Sequence, residues 1–143
     1  MISGPVVVDA SVVVEYLVVL THTDRATALF RRLTREETGF QLIAPDLIYP
    51  ESVSAIRKLV RLRAIPPAAG AKAVDRLTRL PIAAAGTAEL MPEAWAVREA
   101  LTVYDACYVL LARRLGAALV TTDDKLIRWG SRSKDKIAHV RDV

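Results

Sequence analysis

The sequence predicts an α/β protein, a three-layer α/β/α sandwich around a central parallel sheet of four to five strands. Three observations predict it. Short apolar runs at 5–9 (PVVVD), 41–45 (QLIAP), 81–86 (PIAAAG), 117–121 (AALVT) and 136–140 (KIAHV) alternate with longer segments of helical periodicity, the order that builds strand-helix-strand crossovers. The runs are largely apolar rather than alternating in polarity, as strands covered on both faces are. No internal repeat, low-complexity tract or linker divides the 143 residues, so one domain over 1–143 is expected, and 52% hydrophobic composition supplies its core.

The elements follow in order. After the first strand, residues 11–20 read as a helix, although their valines also favour strand. Residues 23–35 place Ala26, Leu29, Phe30 and Leu33 at helical intervals, with Gly39 as a stop beyond them. The second strand leads to Asp46, which opens a helix to about residue 63 with Val53, Ile56, Leu59 and Val60 on one face. Pro50 falls near its first turn, where a missing amide donor costs least. Pro66 and Pro67 start a helix running to 80, and the third strand follows. Helices at about 88–100 and 102–115 are separated by a turn near Leu101, and Gly116 ends the second. A short helix at 123–129 joins the last two strands.

Composition excludes several classes. Asp9 and Glu15 cut the valine-rich stretch 5–19 into pieces far shorter than the roughly 20 apolar residues of a bilayer span. The stretch also lacks the basic lead and cleavage pattern of a secretory signal, so a cytoplasmic protein with no membrane partner is expected. One cysteine, Cys107, forms no internal disulfide and reads as a small buried hydrophobe. Net charge is +4 and the sequence pI is about 9.5. The excess is clustered: Arg57, Lys58, Arg61 and Arg63 crowd one segment, and Lys125, Arg128, Arg132, Lys134, Lys136 and Arg141 the last one. Such clusters suit a polyanion such as nucleic acid, although charge alone slightly favours two solvated helix faces.

In a parallel sheet, ligands bind beyond the carboxyl ends of the strands, and acids fall there. Asp9 ends the first strand, Asp123 follows the fourth, and Glu51 and Asp105 lie in first turns of helices. Each has a plain structural role open to it, because a carboxylate at a helix start pairs with free amides, and Thr102 with Asp105 has capping-box spacing. Four such acids converging on one edge would repel unless a cation neutralised them.

The stretches VVVDASV (6–12), YPES (49–52) and TVYDACYVLLARRLGAALVTTDDKL (102–126), in that order and spacing, resemble the PIN domain family and within it the VapC-type ribonuclease toxins. The third stretch is the specific one. The resemblance implies a PIN-like α/β/α fold, often homodimeric, with an acidic Mg²⁺ or Mn²⁺ site that hydrolyses RNA, neutralised by a small VapB-like antitoxin. Position by position it implies Asp9, Asp105 and Asp123 as metal ligands and Glu51 as the acid acting through water. Ser11 and Thr121 take the supporting hydroxyl positions. Glu15 matches no acid of the family and is read as solvated. In VTTDD the pattern selects Asp123 over Asp124, which is expected to face solvent or cap its helix.

The inventory offers few rival catalysts. His22 and His139 are the only histidines and would have to converge from distant segments, and no phosphate-binding glycine loop is present. Two alternatives stay open: a non-catalytic PIN-like RNA-binding module, and a phosphatase with Asp9 as nucleophile, although the latter usually has a second Asp where Ser11 stands. Arg57, Lys58, Arg61, Arg113, Arg114 and Lys125 are candidates to hold an RNA backbone. The apolar helices near 11–33 and 46–62 are candidate grooves for an antitoxin peptide.

Overall fold

Five parallel strands, β1 (Pro5–Val8), β2 (Gln41–Pro45), β3 (Ala83–Ala85), β4 (Ala118–Thr121) and β5 (Ile137–His139), form a single sheet in the order β3-β2-β1-β4-β5. The computed structural model describes residues 2–35 and 39–143; Met1 and residues 36–38 lie outside the described residues. The valines of β1 explain why this segment is the central strand. Val6 and Val8 point into one apolar cluster and Val7 into another on the opposite face, and all three are fully buried. A fully buried valine contributes about 1.5–3 kcal/mol.

Helices α1 (Ala10–Leu17), α2 (Thr23–Thr34), α3 (Ile48–Arg61) and α4 (Pro67–Leu77) cover the Val6 and Val8 face. Helices α5 (Met91–Ala96), α6 (Val103–Leu115) and α7 (Asp124–Arg132) cover the Val7 face. Residues Ala106 to Ala112 of α6 are all buried, because this helix lies across β1, β2 and β4. Cys107 is one of them and packs as a small hydrophobe, its thiol pushed up in pKa by burial and then by Glu51. Gly116 closes α6 in the left-handed conformation, φ 60°.

The observed elements differ from expectation at their ends, each for a local reason. The first helix stops at Leu17, where Val18 turns extended and Thr23 directs its hydroxyl at the carbonyls of Glu15 and Val18. Glu15 is not solvated. It is 8% exposed, and its Oε2 accepts the His22 amide at 2.9 Å, because the 18–22 turn folds back over α1 and leaves that amide to be satisfied.

The third helix starts at Ile48 rather than Asp46, whose amide still donates to Ala85 O at 2.8 Å as a continuation of the sheet. The expected 88–100 helix is a 3-10 turn at Ala88–Leu90 followed by the short α5, where the Arg98 side chain takes the Trp95 carbonyl. The last helix runs on to Arg132 through Gly130, where a Cβ would stand 2.9 Å from Ile137 Cβ. Glycine there lets α7 approach β5 closely.

Candidate active site

The strand order reverses between β1 and β4, and the carboxyl ends of these two strands form the floor of the site. Asp9 follows β1 with its amide on Val120 O at 3.0 Å. Although it occupies the N-cap of α1, its carboxylate does not cap that helix. Its Oδ2 instead accepts Thr121 Oγ1 at 2.7 Å and Ser11 Oγ at 2.9 Å. These hydroxyls are themselves anchored, since Thr122 N donates to Ser11 Oγ and Asp123 N to Thr121 Oγ1. Asp9 is 8% exposed, and its carboxyl is raised in pKa chiefly by burial, with Asp105 adding to the rise and the two hydroxyls opposing it.

Glu51 reaches the same place from α3, on the opposite layer from α6. Burial raises its pKa first, the nearby Tyr108 hydroxyl opposes the rise, and the charges of Asp9 and Asp105 add to it. Its Oε1 is buried without a hydrogen-bond partner among the described residues, as is the Tyr108 hydroxyl from α6. The two groups interact electrostatically, and Tyr108, fully buried, is held far above its ordinary pKa by burial and then by Glu51 and Asp9. Both stop short of hydrogen-bond geometry.

Asp105 opens α6. Thr102 caps the helix by accepting the Asp105 amide at 3.1 Å, but the Asp105 carboxylate does not close a capping box: it turns onto Lys125 Nζ at 3.0 Å. Asp123 does cap, its Oδ1 accepting Lys125 N at 2.8 Å. Asp124, the first residue of α7, is exposed. The structure therefore brings Asp9, Glu51 and Asp105 into mutual repulsion, with Ser11 and Thr121 supporting Asp9, and holds Asp123 beside them through Thr121. Among the described residues no three His, Cys, Asp or Glu side chains already surround a common point, since Asp105 faces Lys125 and Asp123 faces its own helix. The donor set is all oxygen, crowded, anionic and partly unsatisfied, which fits a hard divalent cation.

The six candidate cations divide clearly. Arg113 makes a two-pronged pair with Asp135 at 2.9 and 2.8 Å, and Arg114 binds Glu93 and Glu89. Lys125 is on Asp105. Arg57, Lys58 and Arg61 enter no ion pair among the described residues and line a groove of about 660 Å³ that begins at Glu51 and runs along α3 with Ser54, Ala55 and Leu62. The histidines do converge, with ring centroids 4.8 Å apart in an edge-on contact. They form no open acid-base pair, because His139 is buried, held below its ordinary pKa by that burial, and its Nδ1 accepts the Arg141 amide.

Sequence reasoning missed Tyr108 as a neighbour of Glu51 and Lys125 as the partner of Asp105. Tyr108 stood in the stretch TVYDACY (102–108), but nothing in its spacing says that it reaches across to α3.

An all-parallel sheet with carboxylates gathered at its carboxyl edge defines an acid-site α/β protein. The PIN domain model matches residues 6–130. Ribonuclease VapC3 of Mycobacterium tuberculosis is 36% identical over 127 residues, 88% of each chain. The crystal structure of PAE2754 from Pyrobaculum aerophilum superposes with a TM-score of 0.67 at 26% identity, covering 97% of this chain and 85% of that one. VapBC2 from Rickettsia felis, solved bound to a DNA fragment from its promoter, has the same fold at a TM-score of 0.63 and 12% identity, covering 94% and 98%. The chain belongs to the PIN domain family, as a VapC-type member.

Proposed function

We propose that the chain is a Mg²⁺- or Mn²⁺-dependent endoribonuclease, the toxin of a toxin-antitoxin pair, hydrolysing RNA phosphodiester bonds at the carboxyl edge of β1 and β4. The observation that carries this reading is the buried Glu51 Oε1, without a hydrogen-bond partner among the described residues, feeling the charges of Asp9 and Asp105 while Glu51 itself lines a groove with Arg57, Lys58 and Arg61. A buried acceptor without a donor is costly, and two further carboxylates nearby make it costlier unless a cation is shared among them.

Asp9, Asp105 and Asp123 would hold the metal, with Ser11 and Thr121 fixing the Asp9 carboxylate. When bound, the ion would neutralise charge on the phosphoryl oxygens and ease ionisation of a water. The protein's own part follows from the geometry. Glu51, raised in pKa by burial and its acidic neighbours, is suited to accept the proton of the attacking water, since a general base works best with a pKa drawn toward the operating pH. Arg57, Lys58 and Arg61 hold the RNA backbone along α3 and align a phosphodiester with the carboxylates.

A VapB-like antitoxin belongs to this reading, supported by the likeness to the Rickettsia felis toxin-antitoxin complex and by exposed Val53 and Leu62 on the α3 side. Homodimerisation belongs to it as well, supported by exposed Trp95, Val103 and Tyr104 across α5 and α6. Among the described residues no helix is long and apolar enough to cross a membrane.

The test is incubation of purified protein with total RNA plus Mg²⁺, Mn²⁺ or EDTA, followed by mapping of the cleaved ends. Discrete cuts with either metal and none in EDTA are expected. RNA binding without cleavage under any of these conditions would favour a non-catalytic module instead.

A further inference from the structure

On the α7 side of the carboxylates, opposite the α3 groove, lies a second recess of about 380 Å³, lined by Ala100, Leu101, Lys125, Trp129, Arg132 and Ser133. Lys125, Trp129 and Arg132 are spaced four and three residues apart on α7 and so share one helix face. Leu101 closes the far side from the loop before α6. The volume lies at the lower end of small-molecule sites.

Three features of this recess point to a ligand. Its aromatic wall is fixed in place: Trp129 Nε1 donates to Asp135 Oδ2 at 2.9 Å, and Asp135 is itself clamped by Arg113 at 2.9 and 2.8 Å. Its charge is one-signed, since among the described residues two cations and no acid line it and Arg132 enters no ion pair. It is also continuous with the carboxylates, because the Lys125 ammonium that lines it touches Asp105 Oδ2 at 3.0 Å.

We propose that this recess is a nucleotide subsite, in which the base of a residue flanking the scissile phosphate stacks on Trp129 while Arg132 and Lys125 bind the adjoining backbone phosphates. Aromatic stacking combined with cations tracking the backbone is how proteins hold single-stranded RNA without reading its sequence. The proposal rests on the ribonuclease reading and adds to it a seat for one nucleotide and a direction for the strand, from the α3 groove across the carboxylates to α7. An acidic peptide would satisfy the cations but would gain little from the flat face of Trp129.

The two tryptophans of the chain allow a direct test. Trp95 is 65% exposed and outside the recess, so Trp95→Phe leaves Trp129 as the sole indole reporter. In EDTA, where no cleavage is expected, a single-stranded RNA pentamer should quench Trp129 to saturation, and a hepta-glutamate peptide should not. Binding followed independently by anisotropy of a labelled pentamer should weaken about 5- to 150-fold in Trp129→Leu, the factor equivalent to the ~1–3 kcal/mol of one stacked base. Exposed Arg132→Glu, which leaves the aromatic wall intact, should weaken binding and lower the slope of log affinity against log salt by about one or more.

RNA binding with unquenched Trp129, or unchanged affinity in folded Trp129→Leu and Arg132→Glu, overturns the subsite. Equal quenching by the glutamate peptide also overturns it. If Trp95→Phe still cuts RNA with Mg²⁺ or Mn²⁺ while Trp129 stays silent, only the subsite falls. If folded wild type neither cuts nor binds RNA, the ribonuclease reading falls and the subsite falls with it.

Discussion

Asp9→Asn separates the burden that the acidic edge places on the fold from the work it does. The substitution keeps the shape of the side chain and an oxygen to accept Thr121 and Ser11, which now approach at 2.7 and 2.9 Å. Making those bonds neutral forfeits about 1 kcal/mol each, the difference between a charge-assisted and a neutral hydrogen bond. Against that stands the removal of a carboxylate that is 8% exposed and repelled by Asp105, a burial cost of several kcal/mol. The balance is a gain of about 1–2 kcal/mol in EDTA near neutral pH, or roughly 3–6 °C in Tm for a chain of this size.

The pH dependence has a definite sign. The folded pKa of Asp9 is raised above its unfolded value. Its favourable contribution is therefore fully present below the ordinary carboxylate pKa of about 4 and is lost as pH rises through the raised value. The advantage of the mutant should vanish as pH falls to that range.

With Mn²⁺ at about 100 times its dissociation constant, wild type should gain about 2.7 kcal/mol and Asp9→Asn much less, so the order of stability reverses. RNA cleavage should be lost in the mutant. The assay is thermal and urea unfolding from pH 4 to 8, in EDTA and in Mn²⁺. A mutant less stable than wild type in EDTA at pH 7 would show that the hydroxyl bonds outweigh burial. Equal Mn²⁺ gains would show that Asp9 is not a ligand.

The remaining predictions probe the neighbours. Asp123→Asn should lose most cleavage and weaken Mn²⁺ binding, whereas exposed Asp124→Asn should alter both little; the reverse ranking of measured rates would move the fourth acid by one residue. Tyr108→Phe removes a buried hydroxyl that has no hydrogen-bond partner among the described residues, so urea unfolding in EDTA should show unchanged stability or a gain of up to about 1 kcal/mol. A loss of more than that would mean the hydroxyl is satisfied in solution. Glu15→Ala should cost about 1–3 kcal/mol by stranding the His22 amide, while Glu15→Gln, which keeps an acceptor, should cost under 1 kcal/mol. Indistinguishable stabilities for the two would contradict the anchoring role.

The strand positions and the acids at their ends were legible in the sequence because both rest on local pattern. Val6, Val7 and Val8 announce a strand buried on two faces wherever they are placed, and Asp9 directly after them must then lie at its carboxyl end. The motif TVYDACY likewise carried Asp105 to a helix start. Only the folded chain decided which way those acids face. Asp105 could cap its own helix or leave it, and the outcome depends on Lys125, twenty residues on and brought alongside by α7 packing on β5. Glu15 read as solvated because its own helix offers no partner; the half-buried amide that claims it belongs to a turn seven residues later, and its direction is set by Thr23. Tyr108 meets Glu51 across two helices from opposite layers of the sheet. Such contacts depend on crossing geometry and on competition among several possible partners, and a one-dimensional spacing does not contain either.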